Sequence, residues 1–418
     1  MSVEKVVNVL ATTLYSVSGY RVSVRRAFAK SCAEHGCSGL PVSREALFNL
    51  AKDFVSRYYE LLCISEKSGR LNPSFKALAR LYLYLYGGVW GIAAGSRVKK
   101  STLRDFRSLT SALEKCVEPW AKLSYPRWLY EEVAELLPSG EAFKLLEGMN
   151  RRVYWVRVNT LKMDLDKALK ALSEEGVVFE VVKEIPFLAK VTYAKKPLRL
   201  LKLFKEGVIV PQDKASVLVV LALKPEPGMF IYDYAAAPGV KASLIMQLTE
   251  NRARLVAVDA SPRRLEAMRE LLKLYGVEGS RVIPVLADST KISLEKQADV
   301  ALVDAPCSSS GAVAKDPAIK VFLRSKEVVY GFKRVQVEML YNALKHVPTV
   351  VYATCSILPE EGEEVVEEVL SRGVESRVVD AGIPASRGYA KYSVWNFVHR
   401  TMPHVDMCEG FFIARFEA

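Results

Sequence analysis

The chain has 418 residues, half of them hydrophobic and a quarter charged, with a formal net charge of +12. This length and composition predict a large buried core divided over two or three domains. No apolar stretch reaches the roughly 20 residues that cross a bilayer, and the first residues lack the segments of a secretory leader. A membrane protein is therefore excluded and a cytoplasmic location is expected.

The seven cysteines argue against a disulfide framework and against a zinc site. Their number is odd, no two of them form a CxxC pair, and the four histidines lie mostly far from them. Regular paired spacings are what disulfide-rich and zinc-binding chains show. We therefore expect no metal, and we expect most thiols to be small buried hydrophobes. The cysteines are Cys32, Cys37, Cys63, Cys116, Cys307, Cys355 and Cys408.

The positive charge is concentrated in the front of the chain. Residues 1–160 hold 24 lysines and arginines against 14 aspartates and glutamates, whereas the remaining 258 residues hold 35 against 33. A basic front part on a nearly neutral remainder indicates a polyanion-binding region attached to something else. Ordinary solubilising surfaces also carry a surplus of this size.

From Val3 to about Trp120 the apolar residues recur at helical spacing, which predicts a helical domain over residues 1–120. Within it, "LNPSFKALARLYLYLYGGVWG" predicts a capped helix that ends at Gly87. Two basic spots are candidate polyanion contacts, although each alone is also typical of a solvated helix face. They are Arg21, Arg25, Arg26 and Lys30 on one helix face, and Lys99 and Lys100 in "SRVKK".

Residues 121–205 have a mixed pattern. "YWVRVNT" is strand-like, "LDKALKALSEEG" is an amphipathic helix that ends at Gly176, and "VVFEVVKEI" is strand-like again. This order predicts a small α+β module.

From Gly207 onward, strands alternate with helices. Amphipathic helices follow most of the five strand candidates, which are "MFIYDYA", "RLVAVDA", "RVIPVLA", "ADVALVDA" and "TVVYATC". Apolar strands that alternate with helices predict a parallel sheet covered on both faces. The ligand site of such a sheet lies beyond the carboxyl ends of its strands.

The loop after the first of these strands, "DYAAAPGVKAS" at 233–243, predicts a cofactor site. Its small residues and Gly239 let the backbone approach a ligand before a helix begins, although it is neither GxGxxG nor a P-loop. The next two strands end at Asp259, which suits ribose hydroxyls, and Asp288, which is placed to meet an adenine edge. The set favours S-adenosylmethionine, although strand-end aspartates also cap helices.

Two further strands end at cysteines, Cys307 in "DAPC" and Cys355 in "YATC". A thiolate that adds to carbon-6 of cytosine makes carbon-5 nucleophilic enough to take a methyl group, and a base then removes the carbon-5 proton. This chemistry needs an activated cysteine beside the methyl donor, and Lys241 is a candidate nearby cation. An adenine methylase would instead carry a DPPY-like motif.

The longer motifs "DYAAAPGVK", "DAPCSSSGAVAKDPAIK", "YATCSILPEEGEE" and "RTMPHVDMCEGFFIARF" are joined upstream by "YPRWL", "RVNTLK" and "EGVIVPQDKAS". Over residues 124–416 they resemble the RsmB/Fmu/Sun family of RNA (cytosine-5)-methyltransferases. The resemblance implies an α/β, class I (Rossmann-like) methyltransferase domain with a mostly parallel seven-stranded sheet over residues 206–418. Before it would come the α+β module as an RNA-binding module over 121–205, and an all-α, NusB-like RNA-binding domain over 1–120.

The resemblance also implies roles for single residues. Cys355 would be the nucleophile, Cys307 would assist release of the methylated base, and Asp304 and Lys241 would contact the target cytosine. The backbone of the loop would cradle the methionine end of S-adenosylmethionine, and four side chains would complete its site. The loop residues are Ala236, Ala237, Pro238, Gly239, Val240 and Lys241, and the side chains are those of Asp259, Arg264, Asp288 and Asp304.

Three residues depart from the family pattern. Ala235 stands where the family has a cysteine, and Val240 and Ser309 each stand where the family has a glycine. Val240 needs an ordinary backbone conformation where glycine allows any, and Ser309 raises the same question on a smaller scale. These departures keep open a non-catalytic RNA-binding or ribosome-assembly factor on a methylase scaffold. Otherwise we expect a monomeric enzyme acting on ribosomal RNA, with transfer RNA as the alternative.

Four glutamates follow the second cysteine motif, and a helix is predicted to begin among them. Because carboxylates favour the positive end of a helix, we expect them to complement the dipole of that helix rather than to take part in chemistry. They are Glu360, Glu361, Glu363 and Glu364.

Overall fold

The computed structural model describes residues 3–38, 42–92, 109–294 and 297–418. It divides into two compact units, the first made of residues 1–150 and 312–328 and the second of residues 151–311 and 329–418. The predicted division into three domains stays a prediction. No helix in the described ranges is long and apolar enough to cross a membrane.

The described residues of the first unit form helices and turns only, as their apolar spacing predicts. Ser23, Ser43 and Ser74 each cap a helix by accepting a hydrogen bond from a backbone N–H in the first turn. The helices are α1 (Val3–Tyr20), α2 (Val24–His35), α3 (Arg44–Ser56), α4 (Tyr58–Lys67), α5 (Phe75–Tyr86), α6 (Leu109–Lys115), α7 (Pro119–Lys122), α8 (Arg127–Leu136) and α9 (Glu141–Met149), with a 3-10 turn at Gly87–Trp90 and a short helix at Ala318–Phe322.

Two disulfide bonds join cysteines of the first unit, so the expectation that the chain has no disulfides is wrong. Cys32 pairs with Cys37 and Cys63 pairs with Cys116. Gly36, at φ 65°, turns the chain after α2 so that Cys37 returns to Cys32. The second bond closes a sequence separation of 53 residues, and such a pairing is set by helix packing that cysteine spacing does not reveal.

The second unit begins with a four-stranded antiparallel sheet in the order β2-β3-β1-β4. Val156 of this sheet packs with Ala168 and Leu172 of the helix that follows β1, which confirms the α+β module. The elements are β1 (Tyr154–Val158), α10 (Leu165–Glu174), β2 (Val177–Val182), β3 (Ile185–Ala194), α11 (Lys202–Lys205) and β4 (Ile209–Pro211), with a 3-10 turn at Leu198–Leu200. The strand β3 was not predicted.

A larger sheet follows, with the order β11-β12-β13-β9-β8-β5-β6-β7 and with β10 paired to β13. Strands β5 to β9 pair with one another in parallel, and β13 pairs antiparallel with β9. This arrangement confirms the predicted Rossmann-like fold, and the small β11-β12 hairpin extends it. The strands are β5 (Phe230–Asp233), β6 (Arg254–Asp259), β7 (Val282–Leu286), β8 (Val300–Asp304), β9 (Thr349–Thr354), β10 (Arg377–Val379), β11 (Ser386–Arg387), β12 (His399–Arg400) and β13 (Phe412–Glu417).

Helices cover both faces of the larger sheet. Three helices pack on one face through an aliphatic cluster that includes Leu218, Leu244 and Met268, and two pack on the other through a cluster that includes Leu340 and Val366. They are α12 (Lys214–Leu223), α13 (Val240–Leu248) and α14 (Pro262–Leu274), and α15 (Glu327–His346) and α16 (Glu363–Ser371); a last short helix, α17, spans Pro403–Asp406.

The disulfide assignment predicts the number of reactive thiols in the unfolded chain. Denatured without reductant, the protein should take up iodoacetamide at three cysteines, which are Cys307, Cys355 and Cys408. After reduction, all seven should react. Intact-mass spectrometry gives both counts, and seven modified cysteines without reductant would contradict the two bonds.

Candidate active site

The two predicted thiols lie side by side at the carboxyl edge of the larger sheet. Strands β8 and β9 are parallel neighbours with Asp304 in register with Ala353, so the residues that follow them leave the sheet together. The Sγ atoms of Cys307 and Cys355 are 3.2 Å apart, within hydrogen-bond distance for sulfur. Both side chains are partly exposed, so a substrate has access to them.

The contact between the thiols separates their acidities. The hydrogen bond with Cys355 and then burial raise the pKa of Cys307 well above its usual value. The same hydrogen bond lowers the pKa of Cys355, against the opposing effect of burial. Cys355 is therefore the thiol that ionises first. Cys307 stays protonated and donates a hydrogen bond to the Cys355 sulfur.

A buried carboxylate, Glu361, joins the loops that carry the thiols. Its side chain accepts hydrogen bonds from the backbone N–H and the hydroxyl of Ser308, next to Cys307. Its backbone carbonyl accepts from the hydroxyls of Tyr352 and Thr354, on the strand that carries Cys355. Both loops are thus fixed to one residue.

A second buried glutamate, Glu363, forms an ion pair with Arg400. The Arg400 guanidinium also donates to the carbonyls of Ser356 and Leu358, in the loop that follows Cys355. Glu363 and Glu364 lie in the first turn of α16, and Glu360 and Glu361 lie in the 3-10 turn before it, where carboxylates complement the helix dipole as expected. Glu361 and Glu363 are also 0 % exposed, and the hydrogen bonds above give them a further part. Each satisfies a buried donor that shapes the site.

Lys241 and Asp304 form an ion pair beside the thiols. The Lys241 ammonium in the first turn of α13 donates to Asp304 Oδ2 at 2.6 Å. Asp304 is the last residue of β8, three residues before Cys307. The pair therefore lies where a polar group of a bound base can meet one positive and one negative side chain.

The predicted cofactor loop begins α13 at the same edge of the sheet. Gly239 is at φ 99°, and a Cβ atom there would lie 2.7 Å from Met268 Cγ, so only glycine fits. Val240 begins the helix, and its φ is not positive. The departure at Val240 therefore costs no backbone strain.

Carboxylates at the ends of the next strands complete this loop. The Asp259 carboxylate accepts from the backbone N–H of Ser261 at 2.9 Å and pairs with Arg264 at 3.3 Å. Arg264 also donates to the carbonyl of Ala237, which links the loop to β6. Asp288, after β7, is exposed, and hydrogen bonds from Thr290 lower its pKa.

This set of groups fits S-adenosylmethionine. The loop from Ala236 to Lys241 places its backbone at the carboxyl end of β5, where α13 begins, and Gly239 allows the turn that this requires. The side-chain oxygens of Asp259 and Asp288 can accept hydrogen bonds from ribose hydroxyls and from an adenine amino group. The predicted cofactor residues thus lie together at one edge of the sheet.

The predicted basic residues fall in the first unit. Arg21, Arg25, Arg26 and Lys30 are exposed at the start and along the length of α2. Arg25 lies over the ring of Phe48, and Lys30 lies 4.8 Å from the ring centre of Tyr20. Lys99 and Lys100 lie outside the described residues.

Fold and site together define a class I methyltransferase. A family model described as "16S rRNA methyltransferase RsmB/F" matches residues 220–417, and one described as an RsmF/B-like ferredoxin-like domain matches residues 125–188. "Ribosomal RNA small subunit methyltransferase B" of Klebsiella pneumoniae is 30% identical over 75% of this chain and 70% of its own length. The chain belongs to the RsmB/F family of RNA methyltransferases.

Two solved structures show the same fold. A methyltransferase homolog from Pyrococcus horikoshii is 27% identical with a TM-score of 0.64, over 72% of this chain and 97% of its own. The structure titled PH0851 covers 99% of this chain and 98% of its own, with 24% identity and a TM-score of 0.76. The likeness to the second extends over the helical first unit as well, and it concerns the fold alone.

The sequence alone assigned no part in the site to Glu361, Arg400 or Ser309. The first two stand within motifs that carry the family resemblance, "YATCSILPEEGEE" and "RTMPHVDMCEGFFIARF", but a buried partner cannot be identified before the fold is known. Ser309 was noticed as a departure from glycine, and the structure gives it a contact with Cys355.

The buried ion pair predicts a large difference between two glutamate substitutions. Glu363→Gln should lower the free energy of unfolding by about 3–5 kcal/mol, because it leaves the buried Arg400 guanidinium without its countercharge. Glu338→Gln is the matched control, since Glu338 pairs with Arg372 on the surface and should cost less than about 1 kcal/mol. Chemical denaturation measures both, and equal effects would contradict the burial argument.

Proposed function

We propose that the protein transfers a methyl group from S-adenosylmethionine to carbon-5 of a cytosine in ribosomal RNA. The observation that carries this proposal is the 3.2 Å contact between Cys307 and Cys355, with the lowered pKa on Cys355 and the raised pKa on Cys307. Cytosine-5 methylation uses one thiol as a nucleophile and benefits from a second group that helps the first to leave. The descriptions of the family model and of the Klebsiella relative support ribosomal RNA as the substrate.

In the proposed reaction the Cys355 thiolate adds to carbon-6 of the cytosine, and carbon-5 gains the electron density that it needs to take a methyl group. S-adenosylmethionine, when bound on the loop from Ala236 to Lys241, supplies that methyl group. A base removes the carbon-5 proton, the bond between carbon-6 and sulfur breaks, and its electron pair returns to Cys355. Cys307, 3.2 Å away, assists this release.

Asp304 and Lys241 have a separate part in binding the base. The Asp304 carboxylate accepts a hydrogen bond from the exocyclic amino group of cytosine, a donor that uracil lacks. Lys241, bonded to the same carboxylate, keeps it oriented. A stacked base cannot reach these residues, so the RNA must present an unpaired or extruded cytosine.

The assigned roles predict which cysteine variant traps RNA. Cys307→Ala should form the adduct between Cys355 and RNA but release it slowly, so that a denaturing gel with methyl donor and substrate RNA shows a retarded covalent band. Cys355→Ser should abolish methylation and show no band, alone or combined with Cys307→Ala, because a hydroxyl hardly ionises at neutral pH.

Cys408→Ala is the matched control, since Cys408 is a buried free thiol that is not part of this pair, and it should turn over normally. A covalent band with Cys355→Ser would mean that Cys307, not Cys355, is the nucleophile. Normal turnover of Cys307→Ala without a covalent band would show that Cys307 does not assist release of the methylated base.

We also propose that the exposed basic residues in α2 and just before it hold the RNA backbone without taking part in chemistry. Neutralising four phosphate contacts should flatten the plot of log affinity against log salt by up to about three units of slope, while affinity for the methyl donor is unchanged. The variant replaces Arg21, Arg25, Arg26 and Lys30 by glutamine.

A control of equal charge replaces exposed residues of the second unit, Arg252, Arg254, Arg269 and Lys273. Filter binding over a salt series measures both slopes. If the two variants flatten the slope equally, the effect reflects net charge and the α2 surface is not the RNA contact.

A further inference from the structure

Ser309 has a backbone conformation that serine rarely adopts. Its φ is +60°, in the left-handed region that glycine enters freely and that a Cβ atom disfavours. The residues on either side explain how this conformation is held. Ser308 donates to Glu361, and Ser310 Oγ lies 2.8 Å from Ser356 Oγ, so the loop is fixed on both sides of Ser309.

This conformation sends the Ser309 side chain to the nucleophile. Ser309 Oγ lies 3.4 Å from Cys355 Sγ, a distance within hydrogen-bond range for sulfur. The next glycine strengthens the placement, because the Gly311 N–H donates to the carbonyl of Cys355 at 3.0 Å. The Cys355 sulfur therefore has two neighbours that can donate a proton, the Cys307 thiol and the Ser309 hydroxyl.

We infer that Ser309 is a further catalytic residue whose hydroxyl donates a hydrogen bond to the Cys355 thiolate, both before it attacks and as it leaves. This inference rests on the proposed function for its chemical step. While Cys355 is a thiol it donates to Ser309 Oγ, and once it ionises the hydroxyl proton rotates toward the sulfur. Hydrogen bonds to a charged acceptor are about twice as strong as neutral ones, so the bond favours the thiolate.

The other groups around Cys355 make this donor useful. The Cys307 hydrogen bond lowers the pKa of Cys355 most, and the Ser309 hydrogen bond lowers it further, against burial and the negative charges of Asp304 and Glu409. The Lys241 ammonium is bonded to Asp304.

A serine hydroxyl also differs from the thiol of Cys307 in its titration. Cys307 can lose its proton, and in the proposed reaction it acts during release of the base. The hydroxyl of Ser309 does not titrate in the working range of pH. It therefore remains a donor to the sulfur at every stage of the reaction.

The test compares Ser309→Ala, which removes the hydroxyl and keeps the Cβ atom, with Ser309→Gly, which also removes the backbone strain. The full-length protein, without RNA or methyl donor, is alkylated by iodoacetamide between about pH 6 and pH 10, a range around the usual thiol pKa. Peptide mass spectrometry follows the Cys355 peptide alone. Both variants should raise the pKa of Cys355 and slow its alkylation at the low end of this range roughly tenfold.

Ser371→Ala is the control, because this exposed serine only donates to a carbonyl of its own helix, and it should leave the profile unchanged. The inference is overturned if Ser309→Ala alkylates like the unaltered protein, or if only Ser309→Gly differs, which would be a backbone effect. Ser309→Gly should unfold at the same or higher temperature, so a loss of folding does not obscure the result.

Alkylation does not depend on methyl transfer, so the two proposals can fail separately. An unchanged pKa in Ser309→Ala overturns the role of Ser309 even if the protein methylates cytosine. If the unaltered protein fails to methylate RNA, the proposed function fails whatever the thiol profiles show.

Discussion

The site depends on the parallel pairing of β8 with β9. Because Asp304 and Ala353 are in register, the chain leaves both strands at the same edge and at the same height. Each loop then needs only a few residues to bring its cysteine to the other, and the two sulfurs meet at 3.2 Å. A slip in this register would move one thiol along the strand direction by a residue spacing of about 3.3 Å, which would separate the two sulfurs.

Buried polar groups hold the loops that carry Cys307 and Cys355 in place. Glu361 bonds the loop after Cys307 through its carboxylate and the strand before Cys355 through its carbonyl. Glu363 and Arg400 fix the loop that follows. These are charged groups taken out of water, and each has partners that offset the cost of burial. These interactions thus hold the two thiols at hydrogen-bond distance from each other.

The same loop shows how a locally unfavourable residue can serve the site. Ser309 has a left-handed backbone that glycine would adopt without strain, yet a glycine would bring no hydroxyl to Cys355. Val240, the other departure from glycine, is different because it simply begins α13. Two substitutions that look alike in the motif therefore have opposite structural consequences, and only φ at each position distinguishes them.

The sequence by itself determined the Rossmann-like sheet, its five parallel strands and the two strand-end cysteines, because alternating apolar strands and amphipathic helices leave a period that can be read along the chain. It also determined the family, since "DAPC" and "YATC" stand at strand ends. The tertiary structure decided the disulfides, the burial of Glu361 and Glu363, and the contact of Ser309 with Cys355. Apart from the Cys32–Cys37 bond, with a sequence separation of 5, these contacts join residues that are distant in sequence. A local pattern holds no information about which distant group will fill a buried space.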